Sequence, residues 1–153
     1  MIRYISLLLF IGSLFGEDDF AGGYIGLGTQ IGTDLTFGFQ VSLGIIEPSF
    51  SEPGNTFLSP GVALGFRGSI TNKIAYPYSD FQITYLGYGG FWGGSGYGIA
   101  YKSNKIIPRI KLYGGYLIGA LTTEISLSPK VEHHFTGVHI GIPLPLWGTH
   151  VSP

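Results

Sequence analysis

The chain has 153 residues, a net charge of −1, only 11% charged residues and no run of lysine or arginine, so it lacks the cationic footprint that nucleic acid requires. It contains no cysteine, which excludes a disulfide framework, a thiolate metal site, a cysteine nucleophile and a lipid anchor on cysteine. Glycine occurs 26 times, tyrosine 10 and phenylalanine 11 times, a composition that asks for β structure with much apolar surface and excludes collagen and disorder alike.

The first element, 1–16, begins with Arg3, runs through an apolar stretch at 5–15 and meets Glu17-Asp18-Asp19. It reads as a secretory signal peptide cleaved after Gly16, because the run is shorter than the about 20 residues a transmembrane helix needs. The remainder, 17–153, is long enough for one domain and too short for two. Strand 21–31 puts Gly23, Ile25, Leu27 and Ile31 on one face and Tyr24, Gly26, Gly28 and Gln30 on the other. Gly32-Thr33 turns it into 34–45, the clearest signal in the chain: Leu35, Phe37, Phe39, Val41, Leu43 and Ile45 alternate with Asp34, Thr36, Gly38, Gln40, Ser42 and Gly44. Most globular strands have about 5–6 residues, whereas a tilted strand crossing a bilayer needs about 9–11, and this one is long enough.

After a loop with Pro48, Pro53 and Gly54-Asn55, strand 58–70 alternates Leu58, Val62, Leu64 and Phe66 with a small or polar set that includes Arg67. A second loop is expected at 71–77, then strand 79–88, with Phe81, Ile83 and Tyr85 opposite Asp80, Gln82 and Thr84. Gly89-Gly90 is the predicted turn into 92–103, and Ser103-Asn104 closes that strand. In 106–118 Ile110, Leu112, Tyr116 and Ile118 look one way and Arg109, Lys111 and Tyr113 the other. The parity then flips, with Leu121, Ile125 and Leu127 apolar and Thr122, Glu124 and Ser126 polar. One regular strand cannot run through both halves, so a turn or a bulge sits at Gly119. The turn gives separate strands at 106–118 and 120–128, and with 134–144, ended by Pro143 and Pro145, the total is eight, an even number that can close on itself and leave no unpaired edge.

Periodicity alone does not say which face meets solvent. Three features favour apolar faces turned outward: too little charge to cover a soluble exterior, an opposite face of small and polar residues, and aromatics near strand ends. Those aromatics are Phe20, Tyr24, Phe57, Tyr76, Tyr78, Tyr88, Phe91, Trp92, Tyr101 and Trp147. On these features, from Phe20 to Trp147, the chain resembles the small outer-membrane β-barrels of Gram-negative bacteria. The resemblance implies an all-β, eight-stranded, antiparallel up-and-down transmembrane β-barrel in the cell outer membrane. Its partners would be the lipid bilayer and the barrel-assembly machinery, to which Leu144 to Trp147 would be the segment offered.

Within such a barrel Asp34, Arg67, Asp80, Arg109, Lys111 and Glu124 are expected to form an interior polar network, since an unpaired buried charge costs several kcal/mol. Catalysis has one candidate cluster, Glu132-His133-His134 with Thr136, His139 and Ser126 or Ser128. It fits no acyl-transfer spacing, though some small outer-membrane barrels are lipid-modifying hydrolases using His, Ser and an acidic partner. Adjacent histidines on a strand point to opposite faces, HExxH is absent, and the glycine runs form neither GxGxxG nor a Walker motif, so neither metal nor phosphate binding is expected. The expectation is a non-enzymatic barrel without a cofactor, its interior plugged by side chains, with a structural or surface-interaction role in the envelope. The alternatives are a secreted soluble barrel around a small apolar ligand and the lipid-modifying hydrolase.

Overall fold

A computed structural model describes residues 19–48, 57–87, 91–128 and 134–151. The predicted signal peptide, the Gly89-Gly90 turn, Tyr88, Glu132 and His133 lie outside them. Eight strands form the wall: β1 Asp19–Gly32, β2 Thr36–Pro48, β3 Phe57–Ser69, β4 Ile74–Leu86, β5 Phe91–Lys102, β6 Lys105–Tyr116, β7 Gly119–Ser126 and β8 His134–Val151. Every strand pairs antiparallel with its neighbours in sequence, and β8 returns to β1 from Gly32↔Gly137 to Asp19↔Val151, so the sheet closes. Closure matters because an open edge would present a row of unpaired backbone groups.

The short connections follow local backbone chemistry. Ser103 and Asn104 both have positive φ (52° and 59°) between the paired Lys102 and Lys105, the signature of a two-residue hairpin whose twist matches its strands. The parity flip at Gly119 is resolved by a hairpin: Tyr116 pairs with Gly119, and Leu117-Ile118 forms the turn.

Several boundaries differ from the sequence expectation: β2 runs on to Pro48, expected in a loop, β6 stops at Tyr116 rather than 118, and three further differences have a clear physical reason. Asp34 does not open β2. It sits in a one-turn 3-10 segment, Thr33–Leu35, with φ 56° and ψ 34°, a left-handed conformation that aspartate adopts more readily than most residues other than glycine. The expected loop at 71–77 is shorter, since β4 begins at Ile74 and Tyr76 and Tyr78 already alternate with Ala75, Pro77 and Ser79. Pro143 and Pro145 do not end β8. Gly141 points its N–H at the Ile118 carbonyl (2.8 Å). By strand parity the nitrogens of Pro143 and Pro145 face the same side, past the end of β7, where the ladder has no partner to lose. A register shift opposite Gly23/Tyr24 then makes Leu146 the extra residue of a bulge.

The two faces of the wall are opposite in chemistry. Outward positions carry Phe39, Leu64, Phe66 and Leu121, exposed by 52, 58, 54 and 68%. Among residues whose side chains are described, no Asp, Glu, Lys or Arg occupies an outward strand position. Inward positions hold Gln30, Gln40, Arg67, Asp80, Arg109, Lys111 and Glu124, all buried. Aromatic placement is mixed: Phe91 and Tyr101 are exposed, whereas Tyr76 and Tyr78, expected in an outer girdle, are buried inside, and Tyr24 and Trp92 border an interior cavity.

Inward glycines make room for these side chains. A Cβ on Gly65 would collide with the Tyr78 ring, while a Cβ on outward Gly68 would meet nothing within 4 Å. We therefore expect Gly65→Ala to destabilise the barrel by about 1–3 kcal/mol through overpacking, and Gly68→Ala to leave stability within about 0.5 kcal/mol, both read by denaturant unfolding in detergent.

Candidate functional site

The interior is organised by an ion chain that crosses the barrel. Both Arg67 terminal nitrogens donate to Glu124, each at 2.5 Å, and its Nε donates to Gln30 Oε1 at 2.7 Å. Arg109 donates to the same Glu124 carboxylate through Nη1, and through Nη2 to both Asp80 oxygens at 2.8 and 2.7 Å. All four charged side chains are fully buried.

Strand register explains how they meet. Gly98 lies between Asp80 and Arg109, so the guanidinium reaches its carboxylate across a strand with no side chain in the way. Gly38 stands beside Arg67 in the same manner. Both guanidiniums also lie over the Tyr78 ring, at 4.5 and 4.3 Å, and Arg67 lies 3.9 Å from the centre of Phe135. Planar, weakly hydrated guanidinium suits such stacking better than ammonium does. Since β3 and β7 are on opposite sides of an eight-stranded ring, the Arg67–Glu124 pair spans the lumen.

A second bridge lies towards the chain termini. Lys111 Nζ, on β6, donates to Gln40 Oε1 on the facing strand β2 at 3.1 Å, and the nearest carboxylate oxygen, Asp80 Oδ2, is 3.9 Å away. Gln40 Oε1 also accepts from Gln30 Nε2 and the Tyr78 hydroxyl, both at 3.1 Å, and Gln30 Nε2 lies 3.0 Å from His139 Nδ1. Beyond this layer is a cavity of about 140 Å³ bordered by Tyr24, Ser42, Ser59, Gln82, Thr84, Trp92, Lys111, Tyr113, Thr122 and His139. At its edge the Trp92 indole donates to the Leu117 carbonyl at 2.8 Å and packs against Tyr113 with ring centres 5.9 Å apart.

No family model and no curated protein matches the chain. A solved structure titled "De novo design of transmembrane beta-barrels" aligns over 78% of this chain and 94% of its own, with 16% sequence identity and a TM-score of 0.38. The superposition is loose, and the assignment of a closed eight-stranded barrel rests on the strand register described above.

Of the six residues expected in the network, Arg67, Asp80, Arg109, Lys111 and Glu124 lie together inside. Asp34 does not join them. Its turn places it at the rim, exposed, where its carboxylate accepts from Asn72 Nδ2 at 3.1 Å. Sequence reasoning put Gln30 and Gln40 on the polar faces of their strands without assigning them a site, and missed Tyr78 because that strand was started at 79, five residues after its true beginning at Ile74. The alternation Tyr76-x-Tyr78-x-Asp80 was the available signal.

The candidate catalytic residues are dispersed. His134 faces outward beside Thr136 Oγ1 at 3.2 Å, whereas His139 is inside with Gln30, and Ser126 bonds locally to the backbone of Ser128. Among the described residues no group of three or more acidic or histidine side chains could hold a metal ion.

Removing Glu124 would strand two buried guanidiniums. Glu124→Ala is expected to cost about 3–5 kcal/mol, whereas Asp34→Asn should change stability by no more than about 0.5 kcal/mol. Equilibrium unfolding of both variants in the same detergent checks the contrast.

Proposed function

We propose that this chain is a membrane-spanning barrel of the bacterial outer membrane, non-enzymatic, with its lumen closed by the ion chain and a structural or surface-interaction role in the envelope. The observation that carries the reading is the reversed polarity of the wall: charges and amides inside, aliphatic and aromatic side chains outside on all eight strands. A water-soluble barrel has these faces the other way round, and a contiguous apolar exterior of this extent would drive aggregation in water.

The dimensions fit a bilayer. From Ile106 to Tyr116 the outward face of β6 is uninterrupted by charge. Ten residue steps give about 33 Å of strand, and a tilt near 40° makes this a band roughly 25 Å tall, the height usual for such barrels. Lys73, Lys105, Asp34 and Asn72 are exposed at the end where β1–β2 and β3–β4 connect, which gives that end a polar collar suited to a headgroup region.

Bridges between opposite walls, Arg67 to Glu124 and Lys111 to Gln40, support the reading of a closed lumen. Eight strands leave an interior just wide enough for side chains to fill. Export through residues 1–16 and insertion by the barrel-assembly machinery complete the proposal.

The expressed protein should remain with membranes through an alkaline carbonate wash, migrate faster in detergent gels before boiling than after, and give no stepwise conductance in a planar bilayer. Release into the soluble fraction would refute membrane insertion. Stable single-channel steps would refute the closed lumen.

A further inference from the structure

The two halves of the lumen differ in how completely their polar groups are used. In the half holding the ion chain, each carboxylate oxygen of Asp80 and Glu124 accepts from a guanidinium, and the buried Arg109 Nε has no partner but is enclosed by the chain. In the other half the leftover donors border open space. Lys111 is 3% exposed, and of its three ammonium hydrogens one is used, on Gln40 Oε1, an oxygen that already takes two further donors. Thr122 is 2% exposed, and its Oγ1 has no partner. Both residues border the 140 Å³ cavity.

Two pairs on that wall are already made: Thr84 Oγ1 and the Tyr113 hydroxyl are 2.6 Å apart, and Ser59 donates to the Tyr24 hydroxyl at 3.4 Å. Charge is unbalanced in the same direction. Among the described residues the buried cations Arg67, Arg109 and Lys111 face two buried carboxylates, Asp80 and Glu124, and the guanidiniums occupy both. The cavity therefore offers an ammonium with one hydrogen bond made and a carboxylate oxygen no nearer than 3.9 Å, and one hydroxyl without a partner, beneath an aromatic wall of Tyr113 and Trp92. Buried donors left unmade are costly, and an acceptor-bearing anion removes that cost while balancing the charge.

We infer that the cavity binds a small organic monocarboxylate, its carboxylate taken by Lys111 Nζ and Thr122 Oγ1 and its apolar body lying against Tyr113 and Trp92. Size limits the class, because a cavity of about 150 Å³ elsewhere admits a molecule the size of benzene. Two donors match the two oxygens of a carboxylate and fall short of what a phosphate dianion needs. The inference concerns the lumen, so it holds whether or not the outer face meets lipid.

The test titrates the full-length folded protein in non-ionic micelles with benzoate by calorimetry, with benzamide as the uncharged counterpart. Benzoate should bind saturably at one site and benzamide roughly tenfold more weakly or less. Lys111→Met should weaken benzoate by at least about tenfold, and the near-isosteric Thr122→Val by severalfold, with heat-modifiable migration retained. Absence of saturable benzoate binding, equal binding of benzamide, or unchanged affinity in Lys111→Met would overturn the proposal. Should Lys111→Met not fold, unchanged affinity in Thr122→Val overturns it alone. Displacement of benzoate by equimolar chloride would also overturn it, in favour of an inorganic ion site.

Discussion

Everything inside this barrel depends on one carboxylate shared by two guanidiniums. Glu124 accepts from Arg67 on one side and Arg109 on the other, and Arg109 passes the chain on to Asp80. Four strands, β3, β4, β6 and β7, are thereby tied across the lumen rather than only around the wall. Burying four charges is expensive, and the arrangement offsets that cost with bidentate geometry, stacking of both guanidiniums on Tyr78 and a further hydrogen bond from Arg67 to Gln30. Glycines on intervening strands are the other half of the device. Gly98 and Gly38 leave the lumen side of the wall bare where the long side chains must cross.

That constraint also accounts for the outside. Once the lumen is committed to charge and amide, the apolar half of every strand has to face the surroundings, and a short closed sheet gives it no second layer to pack against. The large exposed side chains of β2, β3 and β6 are therefore a consequence of the same alternation that fills the interior. A single-residue slip in any strand would exchange the two sets, so the ion chain and the outer band enforce one register together.

Much of this was legible in the residues, because period-two alternation fixes which side chains share a face regardless of the final curvature. Strand number, the break near Gly119 and the inward parity of Arg67, Asp80, Arg109, Lys111 and Glu124 all followed from it. Asp34 was misplaced because parity does not distinguish a turn residue from the first residues of a strand, and its positive φ is invisible in sequence. Pro143 and Pro145 misled for a different reason. A proline stops a ladder only if its nitrogen faces a partner, and that depends on where β7 ends. Tyr76 and Tyr78 were read as girdle residues from their nearness to a strand end, when their parity with Asp80 already turned them inward. Which donors remain unused, as at Lys111 and Thr122, is a matter of three-dimensional pairing that no one-dimensional pattern carries.

The polarity of the wall can be read directly with paired nitroxide labels on adjacent residues of β2, one at outward Phe39 and one at inward Gln40, in protein reconstituted into lipid vesicles. Accessibility to oxygen, which partitions into lipid, should be high at position 39 and low at position 40, and a polar nickel chelate should reach position 39 poorly. Comparable oxygen accessibility at both positions, or preferential access of the chelate to position 39, would contradict the account.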